Sequence, residues 1–406
     1  MPKRFIVRLP HLLRSAAFLV LAGFAALRVG SAAADEPIAP WLAGVKVHPV
    51  SNQPGRHTIH AYYLTCPESP DGTRLLYFAS STPEGEHGDL VVLDRRTGQE
   101  QVIARDIDAE DAHRAACQQW ISGGRRVAYH DVKDGRWSVH VVDLETLADR
   151  KLAEDRQLCF GRAVDDALPI YGCHWKPGSH RDLELLDAAT GEIRAALPVA
   201  EVERTYGAWL AREFGGTPTS IFFPNISPDG KRVFFKMAAA GRDGAANLFK
   251  SPQASHRQGL LVYDLATRQP LFMAEKWAHP AWDADSRRII ERGHFFYDLQ
   301  QAGKVVPMPN LPAMTNHPSV APDGKLFVTD GLVDAVGGPQ GHWGIAVGDT
   351  RGGQFQVLHR FNNSKGATTW RKNHPHPIFS RDGRRIYFNV NETNWTQLYV
   401  AEATAE

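Results

Sequence analysis

Short apolar runs alternate with polar turns along most of the chain, and one turn recurs at regular intervals. It has a Ser-Pro-Asp-Gly form followed by basic residues and a β-rich run, as at 69–72 before TRLLYF and at 227–230 before KRVFF. Proline at the second turn position presets φ and glycine at the fourth tolerates a positive φ, so each copy predicts a tight hairpin turn. Five further copies begin at Ser122, Val164, Asp283, Ala321 and Ser380.

A second turn, of Asp-x-x-Thr-Gly type, follows each copy of the first turn after another apolar strand. Examples are VVLDRRTG, LLDAATG and LVYDLAT, and there are seven turns of each kind in register. This regularity indicates a repeated unit of about 50 residues that holds three to four short antiparallel strands. Packing such sheets radially covers the apolar face and the strand edges that a single unit would expose. The sequence therefore predicts an all-β fold, a seven-bladed β-propeller, with an open array of β-sandwiches as the alternative.

Two segments outside the repeat complete the predicted propeller. The chain ends soon after the third strand of the seventh unit, so we expect an N-terminal strand within residues 45–58 to supply the fourth strand and close the ring. Residues 202–214 (VERTYGAWLAREF) have an amphipathic pattern with helical spacing, which predicts a helix inserted between the third and fourth blades. We expect residues 35–406 to form a single domain.

Residues 1–34 have the pattern of an export signal. Basic residues precede a short apolar run at 15–27, and small residues at 31–34 suit cleavage after Ala34. The apolar run is about half the roughly 20 residues that a membrane-spanning helix needs, so we expect removal of the signal, with a retained N-terminal anchor as the alternative. We therefore predict a periplasmic or secreted protein without stable membrane insertion.

The charge balance and the cysteines narrow the possible partners and ligands. Lys plus Arg number 46 and Asp plus Glu number 45, so the net charge of +1 argues against a nucleic-acid partner. The four cysteines include no CxxC pair, which gives little support to a thiolate zinc site. Cys159 and Cys173 flank a predicted turn near Asp166, so we expect them to lie opposite each other, as a disulfide or as two buried free thiols. We expect the ring to be a monomer.

Histidines recur at one position of the repeat in the last three blades. In a propeller the first strand of each blade lines the central channel, so residues at one distance before the turn should lie at one height. His279, His317 and His376 each precede the aspartate of their turn by six residues. His374 lies two residues before His376 and faces the same way because strand side chains alternate. Four converging imidazoles suit a divalent metal ion, although a hydrogen-bonded core residue is the alternative for each one.

Other polar residues are predicted to face the same channel. Gln118 and Phe223 hold the histidine position in the second and fourth blades, and Tyr62 lies where the chain enters the first blade. Arg371 stands three residues before His374. A cation, an arginine and a tyrosine would bind a carboxylated substrate, with Tyr62 and Gln118 among its contacts, and would stabilise the charge that develops when a proton beside the carboxylate is removed.

The last three repeats resemble those of a known enzyme family. The stretch 371–377 (RKNHPHP), followed by IFSRDGRRIYF and LYVAE, resembles the last blade of the oligogalacturonate lyases. The segments around His279 and around His317 (NHPSVAPDGKLFVTDG) resemble the two preceding blades, and the similarity is clearest over residues 270–405. The resemblance implies a seven-bladed propeller that cleaves short uronate oligomers by β-elimination, with a manganese-type ion held by three His and one Gln.

The resemblance also shows two departures from the family. It maps the histidine ligands to His279, His374 and His376, whereas Arg371 stands at the position of the Gln ligand. The family's proposed base is a His of the fourth blade, and Phe223 matches it here. These departures indicate that the chain does not cleave oligogalacturonate in the family's manner, and it is more similar to lyase-like propellers whose last blade reads Arg-x-x-His-Pro.

Three functions are compatible with these patterns. The first is a lyase that acts on a uronic-acid-containing oligosaccharide, in which His60 or Tyr63 transfers protons, Arg371 binds the substrate carboxylate and His317 is a fourth ligand or supports the ligands. The second is a non-catalytic binding scaffold of the kind found in the Tol translocation system, whose propellers share the Pro-Asp-Gly turn. The third, a hydrolase, would need paired carboxylates in the channel, yet candidates such as Asp111 and Glu201 lie in connections.

Overall fold

Seven four-stranded antiparallel sheets make up almost all of the regular structure. The computed structural model describes residues 36–173, 180–240 and 255–404, and the predicted export signal at 1–34 lies outside the described residues. From Pro37 onward the chain forms one unit. The predicted seven-bladed β-propeller is confirmed, with four strands in every blade.

The first four blades are each built from consecutive strands. Blade 1 contains β2 (His57–Ile59), β3 (Arg74–Ser80), β4 (His87–Asp94) and β5 (Glu100–Asp108). Blade 2 contains β6 (Gln119–Ile121), β7 (Arg126–Lys133), β8 (Arg136–Asp143) and β9 (Asp149–Glu154). Blade 3 contains β10 (Arg156–Leu158), β11 (Ala167–Gly172), β12 (Leu183–Asp187) and β13 (Ile193–Leu197). Blade 4 contains β14 (Thr219–Ile226), β15 (Arg232–Ala240), β16 (Ser255–Asp264) and β17 (Pro270–Ala274).

The last three blades follow the same order until the ring closes. Blade 5 contains β18 (Ala281–Trp282), β19 (Arg288–Glu291), β20 (Phe295–Asp298) and β21 (Lys304–Pro307). Blade 6 contains β22 (Ser319–Val320), β23 (Leu326–Leu332), β24 (Trp343–Asp349) and β25 (Phe355–Phe361). Blade 7 contains β26 (Ile378–Phe379), β27 (Arg385–Val390) and β28 (Gln397–Ala403), with β1 (Val45–Pro49) as its outer strand.

The two ends of the chain meet in blade 7. β1 pairs antiparallel with β28, and Val45 lies opposite Ala403. The segment in which a closing strand was expected, 45–58, is longer than β1, because its end already belongs to β2 of blade 1. Blade 7 therefore combines one early strand with three late strands. Closure of the ring depends on contacts between these distant parts of the sequence.

The recurring turns have the conformations that their sequences predict. In the first copy the N–H of Gly72 donates to the carbonyl of Ser69 at 2.9 Å, and Gly72 has a φ of 74°. In the second kind of turn the Asp94 carboxylate accepts the N–H of Thr97 at 2.7 Å. These local hydrogen bonds explain why Gly and Asp recur at fixed places.

Two α-helices lie outside the blades. α1 (Ala39–Ala43) buries Trp41 at 6.1 Å from the ring of Phe379. α2 (Val199–Phe214) is the helix predicted between the third and fourth blades, although it begins three residues earlier than expected. Its apolar side chains pack on blades 3 and 4, and it ends at Gly215 with a left-handed φ of 61°.

The predicted pairing of Cys159 with Cys173 is wrong. The N–H of Cys159 donates to the carbonyl of Pro169, whereas Gly172, the residue before Cys173, lies opposite Arg156. The two thiols are therefore several residues out of register and cannot form a disulfide without moving the strands. Cys66, Cys117 and Cys159 are free thiols.

A buried ion pair joins blade 7 to blade 1. The Arg385 guanidinium donates to both carboxylate oxygens of Glu68, at 2.8 and 3.0 Å, and the Tyr387 hydroxyl donates to the same carboxylate. Glu68 is 1% exposed. Its charge is thus compensated by residues of the neighbouring blade.

We expect Arg385→Ala to destabilise the fold by about 3–5 kcal/mol, since it removes both charged hydrogen bonds of a buried carboxylate and leaves it with the more distant Arg95, at 3.9 Å. Urea unfolding followed by tryptophan fluorescence measures this loss, and Arg384→Ala, which removes an exposed neighbouring arginine, is the matched control. Equal stabilities for the two variants would show that closure does not depend on this ion pair.

Candidate functional site

The four histidines predicted from the repeat lie next to one another. His317 is central: its ring centre is 4.3 Å from that of His279 and 5.1 Å from that of His374. The ring centre of His376 is 4.6 Å from that of His317. The side chains come from the segments that lead into β18, β22 and β26, the first strands of blades 5, 6 and 7. The structure therefore brings these four imidazoles into one cluster.

A fifth histidine, His113, joins this cluster from the connection between β5 and β6. Its ring centre is 4.7 Å from those of both His374 and His376. The ligand atoms of these three residues all lie within 4.8 Å of one another, which would let one metal ion contact all three. The repeat gave no sign of His113, because it lies in a connection and not at the recurring strand position.

The cluster contains buried ring nitrogens that have no hydrogen-bond partner among the described residues. Both nitrogens of His376 are in this state, as are Nε2 of His317 and Nδ1 of His279 and His374. A buried polar atom without a partner is costly, and one side of a neutral imidazole offers a lone pair that a metal ion can accept. These ring nitrogens therefore fit a divalent cation, for which they would be the ligands.

Burial keeps the imidazoles of His279, His374 and His376 neutral near pH 7. It lowers the pKa of His374 to about 4 and that of His279 to about 2. Burial also holds the pKa of His376 well below its usual range. A neutral imidazole is the form that binds a metal ion, so these rings need to lose no proton near neutral pH.

Asp330 organises the cluster from behind. Its carboxylate accepts a hydrogen bond from Nδ1 of His317 at 2.9 Å, and it also accepts the backbone N–H groups of His317 and His376 at 2.9 and 3.1 Å. With Nδ1 as the donor, Nε2 of His317 is left as the acceptor nitrogen. Asp330 thus sets the tautomer of one ring and the backbone position of another.

We expect Asp330→Asn to weaken divalent metal binding by about 10- to 100-fold while the chain stays folded, as is typical when a residue that orients a ligand is changed. Titration of the metal-free protein with Mn²⁺, followed by electron paramagnetic resonance of the free ion, measures the affinity. Asp334→Asn, at an exposed position of the same blade, is the control. An unchanged affinity in Asp330→Asn would contradict the assignment.

The predicted tyrosines and His60 occupy different places. Tyr62 lines the cavity beside His113, with its ring centre 4.4 Å from that of His376, and burial raises its pKa to about 12. Tyr63 donates from its hydroxyl to the carbonyl of Pro280 at 3.2 Å and faces the other end of the channel. His60 is buried and donates from Nε2 to the carbonyl of His376 at 2.7 Å. Of these three residues, Tyr62 is the one that lines the cavity.

Gln118 and Phe223 differ in their relation to the cavity. Gln118 is buried and donates from its amide to the carbonyl of Ile59 at 2.9 Å, so its side chain supports the strand of the neighbouring blade. Phe223 lines the cavity with its ring 5.5 Å from that of Tyr62, and it has a positive φ of 58°. An aromatic ring cannot accept a proton, so Phe223 cannot act as a base.

Three arginines and one lysine surround the cavity beside the histidines. The lining residues are Tyr62, Glu110, His113, Arg114, Phe222, Phe223, Lys236, Arg257 and Arg371. Glu110 is the one carboxylate among these described residues, and it lies 3.4 Å from Arg114. The excess of positive charge makes this cavity suitable for an anion.

Arg371 is held at the cavity wall by a second carboxylate. Nε of Arg371 lies 3.1 Å from Oδ2 of Asp111, which is 1% exposed, whereas about a third of the arginine side chain is exposed. Burial, followed by the charge of Asp111, raises the pKa of Glu110. The sequence correctly placed Asp111 in a connection between strands. It did not indicate that this connection folds against the channel. Both carboxylates are engaged by arginines, which does not favour the acid and base pair of a hydrolase.

Comparisons with known proteins identify the fold. No protein-family model and no curated protein matches the chain. A solved oligogalacturonate lyase in complex with manganese superimposes with a TM-score of 0.57 at 17% identity, covering 88% of this chain and 93% of that one. An oligogalacturonate lyase from Vibrio parahaemolyticus gives a TM-score of 0.58 at 16% identity over the same shares.

Two further findings carry less weight. TolB from Acinetobacter baumannii gives a TM-score of 0.38 at 13% identity, covering 89% of this chain and 64% of that one, and a likeness this weak supports no argument about function. No helix in residues 36–173, 180–240 and 255–404 has the length and apolar character needed to span a bilayer. Together, the topology and the superpositions show that this chain has the seven-bladed β-propeller fold seen in oligogalacturonate lyases.

Proposed function

We propose that the chain is a polysaccharide-lyase-like enzyme that cleaves a uronic-acid-containing oligosaccharide by metal-assisted β-elimination at the channel. One observation carries the proposal: a cluster of buried imidazoles borders a cavity lined by three arginines. The first feature suits a divalent metal ion and the second suits a carboxylate. Both features would stabilise the negative charge that develops when the proton beside the carboxylate is removed.

His113, His374 and His376 would hold the ion, with His279 and His317 as further ligands or supports. A bound divalent cation would draw charge from the substrate carboxylate and so make the adjacent C–H more acidic. Manganese is the ion implied by the resemblance to the lyases, and the donor set of imidazoles accommodates it.

Arg371 is the residue that we assign to the substrate carboxylate. Asp111 holds its Nε side, which leaves the outer nitrogens of the guanidinium for a planar, two-point contact. Tyr62 lines the same cavity and stays protonated at neutral pH, so its hydroxyl can donate to substrate oxygens. For His60 and Tyr63 we favour a role in supporting the inner strands over the predicted proton transfer, since each donates to a backbone carbonyl.

A binding scaffold without catalysis is the second candidate. The observation that favours it is Phe223, which stands where the related lyases have their proposed base. A scaffold, however, needs neither a metal ion nor a cationic cavity.

We also propose that the chain works outside the cytoplasm, after removal of residues 1–34, on an acidic glycan.

Two measurements on the purified protein test the proposal. Metal analysis should find about one divalent cation per chain, as expected for a single three-histidine site. Incubation with a panel of acidic glycans should produce the ultraviolet absorbance of an unsaturated uronate. Bound metal without product would leave a metal-binding scaffold, whereas new reducing ends without an unsaturated uronate would indicate a hydrolase. Neither metal nor product would contradict the lyase.

A further inference from the structure

Lys236 brings an amine into the cavity from blade 4. It lies on β15 opposite Phe222 of β14, and its side chain is one of those that line the cavity. Its Nζ is 4.2 Å from the ring centre of Trp277 and 5.3 and 5.5 Å from those of Phe222 and Phe223. Aromatic rings therefore enclose the amine on several sides.

Two of the arginines around Lys236 differ from it in their partners. Arg114 and Arg371 each lie close to a carboxylate, Glu110 and Asp111. Within the described part of the chain, no hydrogen bond or ion pair connects the amine of Lys236 to a carboxylate. Its contacts with three rings can stabilise an ammonium only in part when three guanidinium groups lie nearby.

The charged and titratable groups around Lys236 come from several blades. Those that affect its protonation, or respond to it, are Arg257, Arg371, Arg114, Cys159, His279 and Glu291. Burial holds the pKa of Lys236 well below its usual range, and the three arginines add to this effect. The amine is thus poised to be neutral, and a neutral amine has a lone pair that can accept a proton.

The amine and the predicted carboxylate site share one cavity. His113 and Arg371 line it together with Lys236. A uronate whose carboxylate is bound by Arg371 therefore has its adjacent carbon in the cavity that holds the amine. Tyr62 and Glu110 also line this cavity, but the tyrosine is protonated and the glutamate is engaged by Arg114.

We propose that Lys236 is the proton acceptor of the elimination, a proposal that rests on the function proposed above. The C–H bond beside the substrate carboxylate breaks, and its proton passes to the lone pair of Nζ. The electron pair of that bond forms the new C=C bond, and the C–O bond on the neighbouring carbon breaks. The leaving oxygen takes its electron pair and gains a proton from water, and the ammonium then returns its proton to solvent.

Two substitutions separate proton transfer from charge. Lys236→Met removes the amine with little change in volume, and Lys236→Arg keeps a cation that cannot become neutral. We expect both variants to lower kcat by about 10²- to 10⁴-fold, the usual contribution of a general base, with unchanged metal content and a KM within a few-fold for Lys236→Arg. Lys276→Met, at an exposed position, is the control.

Chemical rescue and the pH profile add readouts that a structural role would not give. Methylamine should restore part of the activity of Lys236→Ala, and wild-type kcat should rise with pH until the amine is neutral. A variant that keeps its kcat, or an effect confined to KM, would overturn the proposal even if the wild type is a lyase. A wild type that makes no unsaturated product would instead refute the proposed function, and the role of Lys236 with it.

Unfolding provides a test that needs no activity. If Lys236 is neutral in the folded chain, the unfolded chain binds one more proton at any pH between the lowered pKa and the usual value of about 10.4. Stability should then fall as the pH decreases through that window, and Lys236→Met should lack this loss. The gap between the urea midpoints of variant and wild type should widen from about pH 10 to about pH 7. A constant gap would mean that the amine stays charged, which overturns the proposal.

Discussion

Replacing His376 with alanine is expected to remove the bound divalent cation and to abolish elimination. Both ring nitrogens of His376 are buried without a partner among the described residues, and the ring borders both His113 and His374. Its ring centre lies 4.6 Å from that of His317, 4.7 Å from that of His113 and 5.7 Å from that of His374, so its loss breaks the set of three histidines. Because even residues that only orient ligands change metal affinity by about 10- to 100-fold, we expect a larger loss here.

Metal analysis after dialysis, together with circular dichroism to check folding, measures this effect. His48→Ala is the matched control, since His48 lies on the outer strand β1 with its side chain well exposed. Retention of a full equivalent of metal in His376→Ala would show that the ion, if present, binds elsewhere. Loss of activity with full metal content would assign His376 to another role.

Arg371→Gln is expected to raise the KM for a uronate substrate by about 10- to 100-fold, which corresponds to the loss of one charged hydrogen bond. The ion pair of Arg371 with Asp111 involves Nε, and Arg371 lines a cavity that also contains Arg114 and Arg257. Metal content should not fall, because the cluster of histidines is intact. This result would separate Arg371 from the ligands.

Steady-state kinetics on the same glycan measure this change, and Arg360→Gln, at an exposed position of blade 6, is the control. Asp111→Asn should give a smaller rise in KM, since it removes only the group that orients Arg371. An Arg371→Gln variant with an unchanged KM would mean that the carboxylate binds another cation, Arg257 being the next candidate in the cavity.

The repeat predicted most of what depends on regular strands. The Ser-Pro-Asp-Gly turns gave the number of blades, because each turn is fixed by local hydrogen bonds such as that between Gly72 and Ser69. The shared register of His279, His317 and His376 placed them at one height in the channel, and their rings lie close together. Both inferences required only that every blade obey the same geometry.

Residues outside that register could not be placed from the sequence. His113 and Asp111 lie in a connection, and the path of a connection depends on tertiary contacts such as the hydrogen bond from Asn373 to Ala112. Lys236 lies on the second strand of its blade, and it reaches the cavity because its side chain is long. The same limit explains why Cys173 does not lie opposite Cys159 as predicted. The observed register of that hairpin differs from the predicted one by a few residues.

Anomalous X-ray diffraction at the manganese absorption edge, on crystals grown with Mn²⁺, tests the central claim most directly. We predict one strong peak among the imidazoles of His113, His374 and His376, within bonding distance of a nitrogen from each. The absence of a peak there, with the buried nitrogens instead hydrogen-bonded to ordered water, would contradict a metal-assisted reaction at this site.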